Sequence, residues 1–161
     1  MALAHDIRAV TASAGIVFIV NDHVDIALLS HADGVHLGLD DLSIASARRV
    51  AGQELIIGAS ASNPEDAQAA IAAGADYLGS GPAFATPIKK EKQVIGPKGV
   101  AAIAAAVGPE VPVFAIGGID ASNVAQLTAE GLGRACVIRA IADARDPELA
   151  ARRLRTMLAS G

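Results

Sequence analysis

The chain has 161 residues, a formal net charge of −4, 52% hydrophobic residues and only 2% aromatic residues. No basic patch is interleaved with aromatic residues, which argues against nucleic-acid binding, and no apolar run reaches the ~18 residues typical of a membrane span. The start, MALAHDIRAV, lacks the basic and apolar regions of a signal peptide. The single cysteine, Cys136, excludes an internal disulfide and suits a reducing, cytoplasmic compartment.

The first predicted element is an amphipathic helix over Ala2–Ser13, because Leu3, Ile7 and Val10 recur at helical spacing. After it, short β-branched runs alternate with Ala-rich helical stretches. Each run is apolar and continuous, which predicts a strand buried on both faces. The predicted strands are Ile16–Val20, Gly34–Leu37, Leu55–Ala59, Tyr77–Gly79, Val113–Ile116 and Ala135–Ile138.

Capping signals mark the helices between these strands. Asn63 before Pro64 predicts the start of one helix, Ser122-Asn123 a second start, and Asp146 before Pro147 a third. Gly74 is expected to end the helix Glu65–Ala73 in the left-handed conformation that glycine tolerates.

Strands that alternate with helices predict an α/β fold with a parallel sheet. The regular strand spacing favours a TIM (β/α)8-type barrel, which typically needs ~200 residues or more. With six predicted strands in one domain, residues 1–161, either the first two strands are missing or the fold is not a barrel. The first helix begins without a cap or a preceding strand, which favours an incomplete, N-terminally truncated barrel.

Two glycines follow the fifth predicted strand. The loops after the last strands of TIM barrels often bind phosphate through backbone N–H groups. Gly117-Gly118 would let a phosphate approach the backbone closely. The same pair also fits a tight turn without a ligand, and the sequence leaves both interpretations open.

Two aspartates follow the first two predicted strands. Asp22 and Asp41 should face each other at the carboxyl edge of the sheet, where two carboxylates suit magnesium together with phosphate and water. The alternative is helix capping, since both precede helices and acids are common there.

The longest loop, Gly81–Ile95, carries Thr86, Lys89 and Lys90. A lysine there would neutralise a leaving phosphate, or the loop is simply basic and solvated. Other polar residues near strands have plainer interpretations. Ser60 either donates to a ligand or caps a helix, His36 is expected to be a packed barrel residue, and Cys136 to be buried and inert.

These residues together resemble one family, thiamine-phosphate synthase. The resemblance covers nearly the whole chain in order, and its ND, GVHLG and GP-F-TP-K elements are specific in combination. It rests on Val20-Asn21-Asp22, Ala32–Gly38, Asp41-Leu42, Ile57–Ser60, Gly74–Tyr77, Gly81-Pro82, Phe84, Thr86-Pro87, Lys89, Ala115–Ile119 and Val137-Ile138.

The resemblance implies an enzyme that joins hydroxymethylpyrimidine diphosphate to a thiazole phosphate, giving thiamine phosphate and pyrophosphate, with Mg²⁺ as cofactor. It implies that Asp22 and Asp41 bind the metal and that Lys89 is catalytic. By the same resemblance, the pyrimidine diphosphate contacts Asn21, Ser60 and Lys89. The thiazole phosphate contacts Thr86, Pro87, Ile88, Gly118, Ile138 and Arg139.

The sequence departs from the family pattern in several places. An Arg-x-Lys segment that grips the pyrophosphate is absent, Ile88 stands where Thr is usual, and Arg139 stands where Ser is usual. A related tautomerase uses a His in the segment that here reads Ser60–Asn63, which contains none. An alternative function is therefore a catalytically impaired phosphate-binding barrel remnant, or a subunit that a partner completes.

Small phosphorylated molecules are the expected partners. If the barrel is open, unpaired strand edges at Ile16–Val20 and Ala135–Ile138 would invite pairing with another chain. The sequence therefore predicts a homo-oligomer or an aggregating chain.

Overall fold

The computed structural model describes residues 1–86 and 93–159 of the chain, which form eight helices and six strands. The elements are α1 (Ala2–Ala14), β1 (Ile19–Asn21), α2 (Val24–Leu29), β2 (Gly34–Leu37), α3 (Ile44–Ala51), β3 (Ile56–Ala61), α4 (Pro64–Ala72), β4 (Tyr77–Ser80), α5 (Gly96–Val107), β5 (Val113–Ile116), α6 (Ala125–Thr128), β6 (Ala135–Cys136), α7 (Arg139–Ala142) and α8 (Pro147–Ala159). The strands follow one another in the sheet in chain order, β1-β2-β3-β4-β5-β6.

The chain divides into two compact units. The first unit is Met1–Ser60 with Ala69–Leu78, and the second is Ala61–Gln68 with Gly79–Gly161. In the first unit β1, β2 and β3 pair in parallel, with Val20 opposite Val35 and Val35 opposite Ile57. One face of these strands packs against helices through a fully buried aliphatic core that includes Val35 and Ile57.

An aspartate placed directly before a strand ties that strand to its neighbour twice in the first unit. Asp33 precedes β2, and its Oδ2 accepts a hydrogen bond from the Phe18 N–H at 2.7 Å. Asp76 precedes β4, and its Oδ2 accepts from the Ile57 N–H at 2.7 Å. Each carboxylate thus satisfies a backbone donor at the amino end of the sheet, the end of such folds that contributes stability.

Each of these aspartates also pairs with an arginine from a preceding helix. Arg8 on α1 reaches Asp33 and Arg48 on α3 reaches Asp76, both at 2.7 Å. The helix–strand–helix–Asp–strand unit therefore occurs twice, once over α1 to β2 and once over α3 to β4. The repeat was not evident from the sequence, because neither arginine lies near its aspartate along the chain.

In the second unit β5 and β6 pair in parallel, with Ala115 opposite Ala135. The buried aliphatic side chains of this unit come from several helices as well as from β5. They include Val100, Ile103, Val113, Leu127 and Leu154.

The α/β alternation and the parallel pairing predicted from the sequence are confirmed. Four strand predictions differ in extent from the observed strands. Leu55–Ala59 and Tyr77–Gly79 are off by one or two residues, since the strands are Ile56–Ala61 and Tyr77–Ser80. Of the run Ile16–Val20 only Ile19 and Val20 lie in β1, which extends to Asn21, and of Ala135–Ile138 only Ala135 and Cys136 lie in β6. The expectation that both are buried on both faces was also wrong, since Ile16 and Cys136 are exposed.

The helix signals had mixed outcomes. The Oδ1 of Asn63 accepts from the Asp66 N–H at 2.8 Å and that of Asp146 from the Leu149 N–H at 2.9 Å, so both predicted N-caps are confirmed. The cap predicted at Ser122-Asn123 was wrong, because α6 begins at Ala125 after Val124. Gly74 has φ of 101° just beyond α4, as a glycine at a helix end should.

The fold does not test whether two barrel strands are missing or whether residues 1–161 form one domain, so both stay predictions. Several apolar side chains of α1 and the segment after it are exposed, among them Leu3 at 71% and Val10 at 67%. These surfaces are compatible with the predicted oligomer, which also stays a prediction. None of the helices within the described ranges has the length and apolar character that a membrane crossing needs.

Candidate active site

The backbone at the carboxyl end of β1 is held in an uncommon conformation. Asp22 has φ of 68°, in the left-handed region. The His23 N–H donates to the Asn21 carbonyl at 2.9 Å across this residue, which closes a tight three-residue turn. The Asp22 N–H donates to the His36 carbonyl on β2 at 2.8 Å. A γ-turn with positive φ is strained, and such strain is concentrated at functional sites in proteins.

The carboxyl end of β2 presents the second aspartate. The Gly38 N–H donates to Oδ2 of Asp41 at 2.7 Å, which fixes the carboxylate against the loop that leaves the strand. This bond engages one of the two carboxylate oxygens. Asp41 is half-buried, whereas Asp22 is exposed.

Neither aspartate caps the helix that follows it. The N-cap of α2 is His23, and the N-cap of α3 is Ser43, whose Oγ accepts from the Ser46 N–H at 3.3 Å. The capping alternative therefore does not explain Asp22 and Asp41. They stand beyond the carboxyl ends of two paired strands, the edge at which such sheets bind ligands.

If Asp22 and Asp41 held one ion, the chemistry of two carboxylates would suit magnesium better than a metal enclosed by protein. Magnesium is commonly held by one or two carboxylates, with water and substrate phosphates completing an octahedron. Within residues 1–86 and 93–159 no group of three or more His, Cys, Asp or Glu side chains is arranged to hold a metal ion. Two carboxylates alone would bind the ion weakly until a phosphorylated ligand supplied further oxygens.

A hydrogen-bonded line of side chains crosses β2, β3 and β4 in the first unit. His36 Nε2 lies 3.1 Å from Ser60 Oγ, and His36 Nδ1 lies 3.1 Å from the Tyr77 hydroxyl. The two rings are 5.5 Å apart between centroids. The expectation that His36 is simply a packed residue was incomplete, because it is half-buried and bridges two polar side chains.

A glycine makes room for this line. Gly58 is the partner of His36 in the β2–β3 register, and a Cβ there would collide with the Tyr77 ring. Ser60 lies two residues further along β3, so it projects from the same face as Gly58. The tyrosine ring therefore lies over the glycine and reaches the histidine.

In the second unit the glycine pair after β5 is packed closely against the loop that follows β4. Gly117 has φ of 90° and Gly118 of 66°. A Cβ on Gly118 would lie 2.5 Å from the Ala85 carbonyl oxygen, which real Cβ atoms do not tolerate. The Phe84 N–H donates to the Gly117 carbonyl at 3.0 Å. Both glycines are thus required by a close backbone approach, whether or not a phosphate binds.

A side-chain latch holds the glycine pair from the other side. Asn123 donates from Nδ2 to the Gly118 carbonyl at 2.8 Å and accepts the Asp120 N–H at 3.0 Å through Oδ1. Asp120 in turn accepts from the Ser122 N–H and hydroxyl at 2.8 and 2.6 Å. Ser122-Asn123 thus orders the loop after β5 instead of capping a helix.

The remaining predicted site residues are placed as follows. Ile138 and Arg139, at the start of α7, are exposed, and Thr86 is half-buried in the loop after β4. Pro87, Ile88, Lys89 and Lys90 lie outside the described residues. Sequence reasoning gave Tyr77 no contact with His36 and assigned Asn123 to a helix start. The sequence signal for either contact is weak, since it is only a hydrogen-bonding side chain close to a strand.

Comparison with solved structures first defines the class of fold. A crystal structure of 3-hexulose-6-phosphate synthase has 23% identity and a TM-score of 0.71, and the match covers 96% of this chain and 80% of that chain. A likeness at this identity establishes the fold alone. A structure titled thiamine phosphate pyrophosphorylase from Pyrococcus furiosus is much more similar, with 37% identity, a TM-score of 0.89, and coverage of 98% of this chain and 75% of that chain.

The family model described as Thiamine monophosphate synthase matches residues 1–141. The chain therefore belongs to the thiamine monophosphate synthase family. Its curated relatives include a thiamine-phosphate synthase of Haloquadratum walsbyi, 47% identical over 95% of this chain and 69% of the relative. Another, from Gloeobacter violaceus, is 49% identical over 90% of this chain, and the match spans only 42% of that longer relative.

Proposed function

We propose that this chain acts as a thiamine-phosphate synthase, joining hydroxymethylpyrimidine diphosphate to a thiazole phosphate with release of pyrophosphate. The observation that carries the proposal is the pair Asp22 and Asp41. They stand beyond the carboxyl ends of two paired strands, with neither engaged in capping a helix. Membership of the family and the identity of its relatives support the same activity.

In this proposal the first unit handles the pyrimidine diphosphate. Asp22 and Asp41 hold magnesium, which when bound neutralises the charge of the diphosphate and of the departing pyrophosphate. Asn21, the last residue of β1, and Ser60, near the end of β3, contact the pyrimidine. The strained turn at Asp22 is expected to fix the direction of its carboxylate before the ligand arrives.

The second unit handles the thiazole phosphate. Gly118 offers its backbone, and Ile138 and Arg139 stand at the start of α7. The Asn123 latch keeps the Gly118 peptide in one orientation, so its position does not depend on the ligand. Thr86, Pro87 and Ile88 complete this part of the proposal.

The reaction requires positioning more than covalent chemistry. Loss of pyrophosphate leaves a carbocation that the pyrimidine stabilises, and the thiazole nitrogen then forms the new C–N bond. Lys89 is the proposed catalytic cation that stabilises the leaving pyrophosphate. Binding and orienting the substrates would convert an encounter in solution into a step within one complex. The single cysteine suits a cytoplasmic setting for this chemistry.

The test is turnover of residues 1–161 with both phosphorylated substrates and magnesium. Asp41→Asn and Asp22→Asn should each lower kcat/KM by at least about 100-fold if each carboxylate contributes ~3 kcal/mol to charge stabilisation. Asparagine tolerates the left-handed conformation at Asp22, so the turn itself should survive. Asp40→Asn is the matched control, since Asp40 is an exposed neighbour outside the proposed site. Equal activity of all four proteins would refute the assignment of the metal ligands.

A further inference from the structure

The line of side chains from Tyr77 through His36 to Ser60 has a direction that the hydrogen-bonding chemistry of each group defines. A neutral imidazole carries one N–H donor and one acceptor nitrogen, so its two neighbours cannot both donate to it. His36 contacts a phenol through Nδ1 and a serine hydroxyl through Nε2, each at 3.1 Å. Phenols are more acidic than aliphatic alcohols and are the stronger donors, as their ordinary pKa near 10 reflects.

We propose that Tyr77 donates to Nδ1 of His36 and so fixes the Nε2–H tautomer, which donates to Ser60 Oγ. A serine hydroxyl has one donor and two acceptor sites. With one acceptor site used by His36, the hydroxyl proton of Ser60 is directed to an acceptor on a bound molecule. Given the proposed function, on which this inference rests, that acceptor is a ring nitrogen of the pyrimidine.

The sheet geometry supports a built relay rather than a chance contact. His36 and Gly58 are register partners on β2 and β3, and Tyr77 occupies the space that a side chain at Gly58 would take. The three polar groups come from residues 36, 60 and 77, which lie on three strands of the first unit. His36 and Tyr77 are positioning residues in this proposal, because they act on the ligand only through Ser60.

The tautomer can be measured in the unliganded protein. Long-range ¹H–¹⁵N spectra of protein labelled at histidine should show a protonated Nε2 and an unprotonated Nδ1 for His36, with the resonances assigned by their loss in His36→Gln. In Tyr77→Phe the hydroxyl is removed and the ring kept, so the signals should shift to a mixture of both tautomers. A protonated Nδ1 in the wild-type protein, or spectra unchanged by Tyr77→Phe, would overturn the relay.

Binding of the pyrimidine diphosphate tests whether the relay acts on a ligand. In calorimetric titrations with the pyrimidine diphosphate and magnesium, Ser60→Ala and Tyr77→Phe should each weaken binding by about 3- to 10-fold, the effect of one neutral hydrogen bond. Tyr77→Phe should have no further effect when added to Ser60→Ala. Ser62→Ala is the matched control, as it removes an exposed hydroxyl two residues further along the chain.

The outcomes separate the two proposals. A wild-type protein that binds no pyrimidine diphosphate would overturn the proposed function and with it the ligand assigned to Ser60, while the tautomer spectra still decide the direction of the relay. Binding that is intact in the wild-type protein and additive across the two variants would overturn the relay and leave the proposed function standing.

Discussion

Three ion pairs of the described residues have the same length, 2.7 Å, yet the structure predicts very different contributions to stability. Arg48 pairs with Asp76, Arg8 with Asp33, and Arg152 with Glu148. The arginine side chains are 14%, 31% and 75% exposed, respectively. Replacing each arginine by alanine removes a guanidinium group from three environments that differ in exposure.

Arg48 is the one for which the largest effect is expected, because its guanidinium also bonds to backbone. Nη1 donates to the carbonyls of Gly52 at 3.1 Å and Leu55 at 2.7 Å, and Nη2 donates to that of Gly74 at 2.8 Å. The pair with Asp76, whose side chain is 51% exposed, should add little. The two shorter, part-buried carbonyl bonds at ~1.5 kcal/mol each give a loss of about 3 kcal/mol for Arg48→Ala.

The two matched variants, Arg8→Ala and Arg152→Ala, should lose much less free energy of unfolding than Arg48→Ala. Arg8→Ala removes a part-buried pair, for which about 0.5–1 kcal/mol is expected, and Arg152→Ala removes an exposed i,i+4 pair, for which about 0.3–0.5 kcal/mol is expected. Urea denaturation at neutral pH measures all three unfolding free energies, with the m-value checked for constancy. Equal losses for Arg48→Ala and Arg152→Ala would show that burial and backbone bonding do not determine the contribution.

The remaining predictions concern single positions. Gly118→Ala should destabilise the protein by about 3 kcal/mol, because its Cβ would meet a carbonyl oxygen, whereas Gly15→Ala, with φ of 63° and open space around it, should cost about 1 kcal/mol in the same denaturation experiment. The Phe18 N–H lowers the pKa of Asp33 below its ordinary 3.8. The stabilisation that this carboxylate provides is therefore present above pH 3.8 and is lost as the pH falls through the lower folded-state value, and Asp33→Asn should flatten this part of the stability–pH curve. Ser80 is fully buried, and its hydroxyl has no hydrogen-bond partner among the described residues. Ser80→Ala should therefore raise the free energy of unfolding by about 1 kcal/mol and with it the melting temperature. A lower melting temperature would contradict this.

Two strands could be predicted with their observed bounds because each is a short run that contains β-branched or other apolar residues between helical stretches. The runs at Gly34–Leu37 and Val113–Ile116 have the bounds of β2 and β5. The edge runs failed for a physical reason. Ile16 and Val17 are 59% and 61% exposed, so burial does not stabilise them in a strand. Hydrophobicity alone therefore placed the start of β1 too early in the sequence.

The position of a polar residue at a strand end could be predicted from the order of residues, whereas its contacts with residues distant in sequence could not. Asp22 and Asp41 each follow a strand directly or after a short loop, so their place at the carboxyl end could be read from the order of residues. The link of His36 to Ser60 and Tyr77 spans 24 and 41 residues and depends on strand register, which the sequence does not specify locally.

The position of the glycine pair after β5 has more than one physical explanation. Its position after a buried strand suggested a phosphate loop, and the structure adds a packing requirement from the loop after β4. Asn is a common helix cap, which is why the sequence predicts a helix start at Asn123. In the structure the Asn123 side chain instead donates a hydrogen bond to the Gly118 carbonyl. Local propensity could not distinguish these two uses.

The most direct test of the proposed activity is identification of the product formed by residues 1–161. The protein would be incubated with hydroxymethylpyrimidine diphosphate, thiazole phosphate and magnesium, with each component omitted in turn, and analysed by mass spectrometry. The proposal predicts thiamine phosphate and pyrophosphate in equal amounts, only in the complete mixture and not with Asp41→Asn. A folded protein that forms neither product would contradict the claim that this chain is a thiamine-phosphate synthase by itself.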